Sequence, residues 1–170
     1  MDADESFTIY VSQRRLQLFR TACLLCGDPH QAEDIVQDAL ARLYAAWPRA
    51  SRANNIDSYA RRTVINSHLN QVRRPWRRER VSADLSEKAT TVNLATEDLQ
   101  VMWAALRNLP LGQRKVVILR HYLGLSVEET AADLGISTGT VKSQTSDALA
   151  ALRRALAAEF GAPVSEGEGA

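Results

Sequence analysis

Apolar side chains recur along this chain at steps of three, four or seven, the spacing of one helical face, and strand-like alternation is absent. Phe7, Val11, Leu18, Ala22 and Leu25 mark the first helix. Gly27-Asp28-Pro29 closes it and opens the next, since glycine suits a helix end and proline the first turn. Ile35, Val36, Ala39, Leu40, Leu43, Tyr44 and Trp47 continue the pattern until Pro48, after which residues 48–56 read as a loop. Asp57 is the expected N-cap of a third helix through Tyr59, Val64, Ile65, Leu69 and Val72 to Arg74, closed by Pro75. Periodicity is then lost over residues 76–98. It resumes with Leu99, Met102, Trp103, Leu106 and Leu109, breaks at Pro110, and returns with Val116, Val117, Leu119, Tyr122 and Leu123. The expectation is an all-α chain of two small helical domains, 1–75 and 99–160, joined by a flexible linker at 76–98. A Gly/Ser/Glu-rich tail, 161–170, is expected to be disordered.

The most specific local pattern lies between Leu125 and Val141. Ser126 and Glu129 have the spacing of a capping box. Ala131 is small where two helices would meet, Gly135 suits a turn needing positive φ, and Val141 supplies an apolar anchor beyond it. Ser137 or Thr138 is placed to cap the second helix. This is the pattern of a helix-turn-helix, whose second helix enters the DNA major groove. Its exposed face is expected to present Thr138, Thr140, Lys142, Ser143, Gln144 and Ser146 to phosphates and base edges.

Charge at first argues against a nucleic-acid partner, because 21 basic residues stand against 20 acidic ones. Summed by segment, the balance is −3 over residues 1–47, +7 over 48–81, −3 over 82–98, +2 over 99–160 and −2 beyond. Every cation of the +7 block is an arginine, the side chain best suited to phosphates. Near-neutrality is thus an average of opposed blocks. No apolar run reaches the length of a membrane span, and the acidic start lacks the features of a signal peptide. Two cysteines exclude a disulfide scaffold, so a cytoplasmic setting is expected. Cys23 and Cys26, with His30 nearby, raise a redox or zinc sensor as a rival reading, but these three make too small a ligand set for a structural zinc. Free cysteines on the core side of the first helix are the simpler reading.

Four segments, in this order, resemble the extracytoplasmic-function group of bacterial RNA polymerase sigma factors. Residues 28–44 (DPHQAEDIVQDALARLY) are similar to the family's polymerase-docking helix, and residues 56–66 (IDSYARRTVIN), running on to Arg73 and Arg74, to its promoter-melting helix. Residues 109–114 (LPLGQR) resemble the opening of its second domain, and residues 139–143 (GTVKS) its reading helix. The resemblance implies a factor that binds core polymerase, through the clamp helices of the largest subunit and the flap of the second-largest, and directs it to promoters. It implies that Asp34, Gln37, Asp38 and Arg42 contact the clamp. Arg52, Asn54, Asn55, Arg61, Arg62, Asn66, Asn70, Arg73 and Arg74 would hold the −10 element, with one base flipped from the stack. Arg114, Thr138, Thr140, Lys142, Ser143 and Gln144 would read the −35 element. An anti-sigma protein is an optional partner; catalytic residues, metal and cofactor are not expected. The reading helix departs from the family in carrying Gln144 and Asp147 where further arginines are usual, which lowers the expected phosphate affinity. A stand-alone helix-turn-helix regulator is the other rival; it leaves the arginine block and residues 28–44 without a role.

Overall fold

The computed structural model describes residues 1–74 and 96–161; most of the expected linker and nearly all of the expected tail lie outside them. Among the described residues every regular element is helical. The chain divides into two compact units, Met1–Trp103 and Ala104–Ala170.

In the first unit, α1 (Ala3–Cys26) begins where the Asp2 carboxylate accepts from the Glu5 amide at 2.7 Å. It ends at Gly27, whose φ of 74° lets its N–H reach the Cys23 carbonyl. Helix α2 (Pro29–Ala45) starts on Asp28, which accepts from the His30 and Gln31 amides. Leu18, Ala22, Leu24 and Leu25 of α1 are buried with Ile35, Val36, Ala39 and Leu43 of α2 and with Val64 and Ile65 of α4 (Ile56–Arg73). The three helices pack pairwise on one another. Burying each Leu, Ile or Val of this set removes about 2 kcal/mol of unfavourable apolar exposure, which is what fixes the bundle.

Two expectations are corrected here. Trp47 does not close α2: a short helix, α3 (Trp47–Ala50), begins there with Pro48 in its first turn. The cap of α4 is Asn55 rather than Asp57; its side chain accepts from the Ser58 amide at 2.9 Å. Asp57 sits within the first turn, where it serves tertiary contacts instead. The loop expected at 48–56 therefore shrinks to residues 51–55.

An aromatic cluster holds that loop's near end. Phe7 lies 5.0 Å from Tyr44 and 5.1 Å from Trp47, and Tyr10 lies 5.4 Å from Trp47, ring centre to ring centre. The Trp47 indole N–H donates to Ser6 Oγ at 2.8 Å. Tyr10 donates to Asp57 Oδ1 at 2.9 Å, and Arg14 pairs with Asp57 Oδ2 at 3.1 Å. The amino-terminal half of α1 thus fixes both sides of the 51–55 loop.

Helix α5 (Glu97–Leu106) carries the point of division between the units. In the second unit, α6 (Leu111–Val117) continues directly as a π-helical segment, Ile118–Tyr122. Then come α7 (Val127–Leu134) and α8 (Thr138–Phe160). Val116, Ala131 and Val141 form the buried centre, with Val127, Leu134 and Ile136 packed against it. The capping box is complete: the Glu129 amide donates to Ser126 Oγ at 3.0 Å, and the Ser126 amide donates to Glu129 Oε2 at 2.9 Å. Gly135 turns the chain with φ 65°. Ser137, the first of the two expected caps, starts α8 by accepting from the Thr140 amide.

Candidate polymerase and promoter interface

Each group of candidate residues is set by which side of its helix the core claims. On α2 the buried side is Ala32, Ile35, Val36, Ala39 and Leu43. Asp34, Gln37 and Arg42 are left exposed and Asp38 half-buried, all on the opposite side. Arg42 Nε donates to Asp38 Oδ2 at 3.0 Å, one turn back along the helix. The pair is exposed, so it orients the two side chains and adds little stability.

The loop and α4 bring most of the arginine block together. Arg52, Asn54 and Asn55 are exposed in the loop. Because Asn55 Oδ1 caps α4, its carboxamide is held at the helix entrance rather than free to rotate. On α4, Ala60, Val64, Ile65, Ser67 and His68 face inward. Arg62, Asn66, Arg73 and Arg74 face out, whereas Arg61 and Asn70 are half-buried. Arg62 lies over the Tyr59 ring at 6.0 Å, a cation–π contact that aligns its guanidinium. Tyr59 is itself half-buried, which fits a packing residue rather than an open stacking platform. Arg77, Arg78 and Arg80, the rest of the block, lie outside the described residues.

In the second unit the reading helix is narrower than its sequence implies. Thr138, Lys142, Ser143 and Ser146 are exposed. Thr140 is half-buried, and its hydroxyl lies 2.8 Å from Ser137 Oγ. Gln144 departs from the outward position expected of it. Its carboxamide lies against α6, where a Cβ on Gly112 would come within 3.3 Å of it. A helix has only one outward face, and Gln144 falls on the flank towards α6 because Val141 and Ala148 take the centre of the buried side. Arg114 is half-buried, and its Nη2 donates to the carbonyls of Arg107 and Leu109.

The cysteines differ from a reactive pair. Cys23 is buried and Cys26 partly so; both are free thiols. Burial pushes Cys23 up to about 11, helped by Asp28 and Glu33. Burial likewise pushes Cys26 up to about 12. Among the described residues no group of three or more His, Cys, Asp and Glu is placed to hold a metal ion.

Sequence reasoning missed the Asp57 anchor, because Tyr10 and Arg14 lie far from it along the chain and no local pattern signals the contact. It also missed Arg120 and Arg153, which line a cleft with Lys142 beside the reading helix.

The comparisons with known proteins cover both units. Residues 10–78 match Sigma-70 region 2, and residues 99–152 match Sigma-70, region 4. The RNA polymerase sigma-E factor of Streptomyces coelicolor is 41% identical over 157 residues, spanning 89% of this chain and 86% of that protein. The ECF RNA polymerase sigma factor SigL of Mycobacterium tuberculosis is 35% identical over 149 residues, or 82% of each. The chain belongs to the extracytoplasmic-function sigma factors. As a sigma factor it directs RNA polymerase to promoters. The fold is similar to that of the sigma factor RpoE from Bartonella quintana, solved with the anti-sigma factor NepR. That likeness has a TM-score of 0.71 at 26% identity, over 89% of this chain and 97% of that one. CnrH, solved with the cytosolic domain of CnrY, shares the fold with a TM-score of 0.68 at 23% identity, over 91% of this chain and 90% of that one. The region 2 match contains the arginines of α4, and the region 4 match contains the helix-turn-helix of α7 and α8. Among the described residues no helix is long and apolar enough to cross a membrane.

Proposed function

We propose that this sigma factor initiates transcription in three steps, each assigned to one surface. The outward face of α2, with Asp34, Gln37, Asp38 and Arg42, docks on the clamp helices of core polymerase. An acidic face with one cation suits a basic partner helix. The 51–55 loop, through Arg52, Asn54 and Asn55, captures a base of the −10 element. Arg61, Arg62, Asn66, Asn70, Arg73 and Arg74 of α4 hold the separated strands. Extracting a base costs a few kcal/mol, which base capture and phosphate contacts offset. The second unit reads the −35 duplex with Thr138, Lys142 and Ser143 over the groove. Thr140, Gln144 and Arg114 act from the edge of that surface, fixing α8 relative to α6 and to the chain before it.

The observation that best supports this reading is the joint presence of a complete helix-turn-helix and an outward row of arginines on α4. A stand-alone regulator needs only the first. Nucleotidyl transfer belongs to the polymerase, so the chain works in the cytoplasm with no catalytic residue or cofactor of its own. A partner of the anti-sigma kind, as seen with RpoE of Bartonella quintana, is a further expectation for this chain.

An electrophoretic shift with labelled promoter duplex tests the assignment. With core polymerase present, the full chain is expected to give a retarded complex at concentrations where alone it gives none. Equal binding with and without core would favour the stand-alone regulator.

A further inference from the structure

Residues 51–55 join α3 to α4, and one side chain of α1 reaches both ends of that loop. The Tyr10 ring packs on Trp47, the first residue of α3, with ring centres 5.4 Å apart. Its hydroxyl donates to Asp57 Oδ1 at 2.9 Å, in the first turn of α4. Phe7 and Ser6 hold Trp47 from the preceding turn of α1, through an edge-on ring contact and a hydrogen bond from the indole. Arg14, one turn further along α1, takes the other Asp57 oxygen at 3.1 Å. The two contacts to Asp57 are unequal. The Arg14 and Asp57 side chains are 45% and 35% exposed, so solvent screens their pairing and leaves it little weight. The Tyr10 bond is part-buried and ends on a carboxylate, which makes it the stronger of the two. Burial, and then the bond to Asp57, hold the Tyr10 phenol far above its ordinary range, so it stays a donor at any working pH. Asn55 is both the last loop residue and the cap of α4, so its carboxamide moves with the turn that carries Asp57.

We infer that Tyr10, acting through Trp47 and Asp57, is a positioning residue that fixes the opening of the 51–55 loop and thereby its choice of base in the −10 element. The inference rests on the capture role proposed for that loop. Tyr10 itself makes no DNA contact. A loop braced at both ends presents Asn54 and Asn55 in one arrangement, and its ordering is complete before the base arrives. With the hydroxyl gone, the first turn of α4 loses its tie to the side chain that packs on α3. Several arrangements of the loop then accept several bases. Discrimination at the −10 element falls, while affinity for core polymerase and for the −35 duplex is retained.

The test uses holoenzyme assembled from core polymerase and the full chain. The probe is a fluorescent fork-junction DNA, duplex through the −35 element and single-stranded over the −10 segment, of a sequence that wild-type holoenzyme selects from a random library. Anisotropy compares it with a probe altered at the −10 base that wild type discriminates most strongly. Tyr10→Phe keeps the ring on Trp47 and removes the bond to Asp57, and the ratio of the two affinities is expected to fall about fivefold. Asp57→Ala is expected to match it, and the Tyr10→Phe, Asp57→Ala double variant to lose no more than either alone. Asp57→Asn, which keeps an acceptor for the hydroxyl, is expected to retain most of the wild-type ratio. Ser12→Ala, exposed on the same helix with its hydroxyl on the Ile9 carbonyl, is expected to behave as wild type. An unchanged ratio in Tyr10→Phe, even with weaker binding to both probes, would overturn the inference by leaving Tyr10 a purely structural role, and the capture reading would stand. Additive losses in the double variant, or an equal fall in Ser12→Ala, would overturn it as well. Wild-type holoenzyme without −10 preference would overturn the capture reading and the inference with it.

Discussion

At Gly27 the backbone turns left-handed, with φ 74°, and a Cβ built there would lie 2.2 Å from Cε2 of Trp103. Two costs meet at this residue: backbone strain and collision with an indole. Gly135 has a similar φ of 65° but open space around it. Gly135→Ala is therefore expected to cost about 1 kcal/mol, and Gly27→Ala clearly more, in urea unfolding of the full chain. Equal losses would mean that Trp103 yields without cost. The same scale governs the cysteines. Their thiols, ordinarily near 9, are raised to about 11 and about 12 by burial. A raised value favours the protonated, folded form, so this stabilisation is complete below about pH 9 and is lost as pH climbs through 11 and 12. Stability measured against pH should fall across that window more in wild type than in a Cys23→Ala, Cys26→Ala double variant. At neutral pH both native thiols should react slowly with a disulfide reagent, becoming fast on unfolding. Fast native labelling would revive the sensor reading.

Among the elements, α4 best shows what the sequence could and could not convey. Its apolar period predicted the helix, and its arginines predicted an anionic partner. Which arginines reach outward depended on the packing of Ala60, Val64 and Ile65 against α1 and α2, and so appears only in the fold. The cap is Asn55, while Asp57 is held by Tyr10 and Arg14, and contacts across so long a stretch of chain leave no local trace. The helix-turn-helix was far more legible. Capping box, small residue, glycine and anchor are all local features, and each stands where the sequence put it. Gln144 was not legible, since its turn towards Gly112 depends on the approach of a helix earlier in the chain. For α4 the expected outcome is specific. Arg62→Ala combined with Arg74→Ala should slow open-complex formation about a hundredfold, read by permanganate reactivity of melted thymines, since each lost contact to a charged phosphate is worth about 1.5 kcal/mol. Affinity for core polymerase should change little, because neither arginine lies on the outward face of α2 to which docking is assigned. Equal losses in melting and in core binding would count against the division of labour between α2 and α4.

For the whole molecule, net charge was the misleading quantity. A balance of +1 conceals an acidic first segment, an arginine-rich second and a weakly basic reading domain. Separate surfaces facing a protein and a polyanion need opposite charge, and a single sum cancels them. The all-helical architecture was readable from periodicity alone, and both units match parts of the sigma-70 family. By packing the chain divides within α5, after Trp103, whereas the region 4 match begins at residue 99. The central claim is that these surfaces act together on polymerase. Runoff transcription measures it most directly, with purified core polymerase, the full chain and a promoter library, and sequencing of transcript starts. The account predicts starts at a defined subset of promoters that core alone does not use, sharing a −35 and a −10 element at fixed spacing. Transcripts no more numerous or more focused than those from core alone would contradict it.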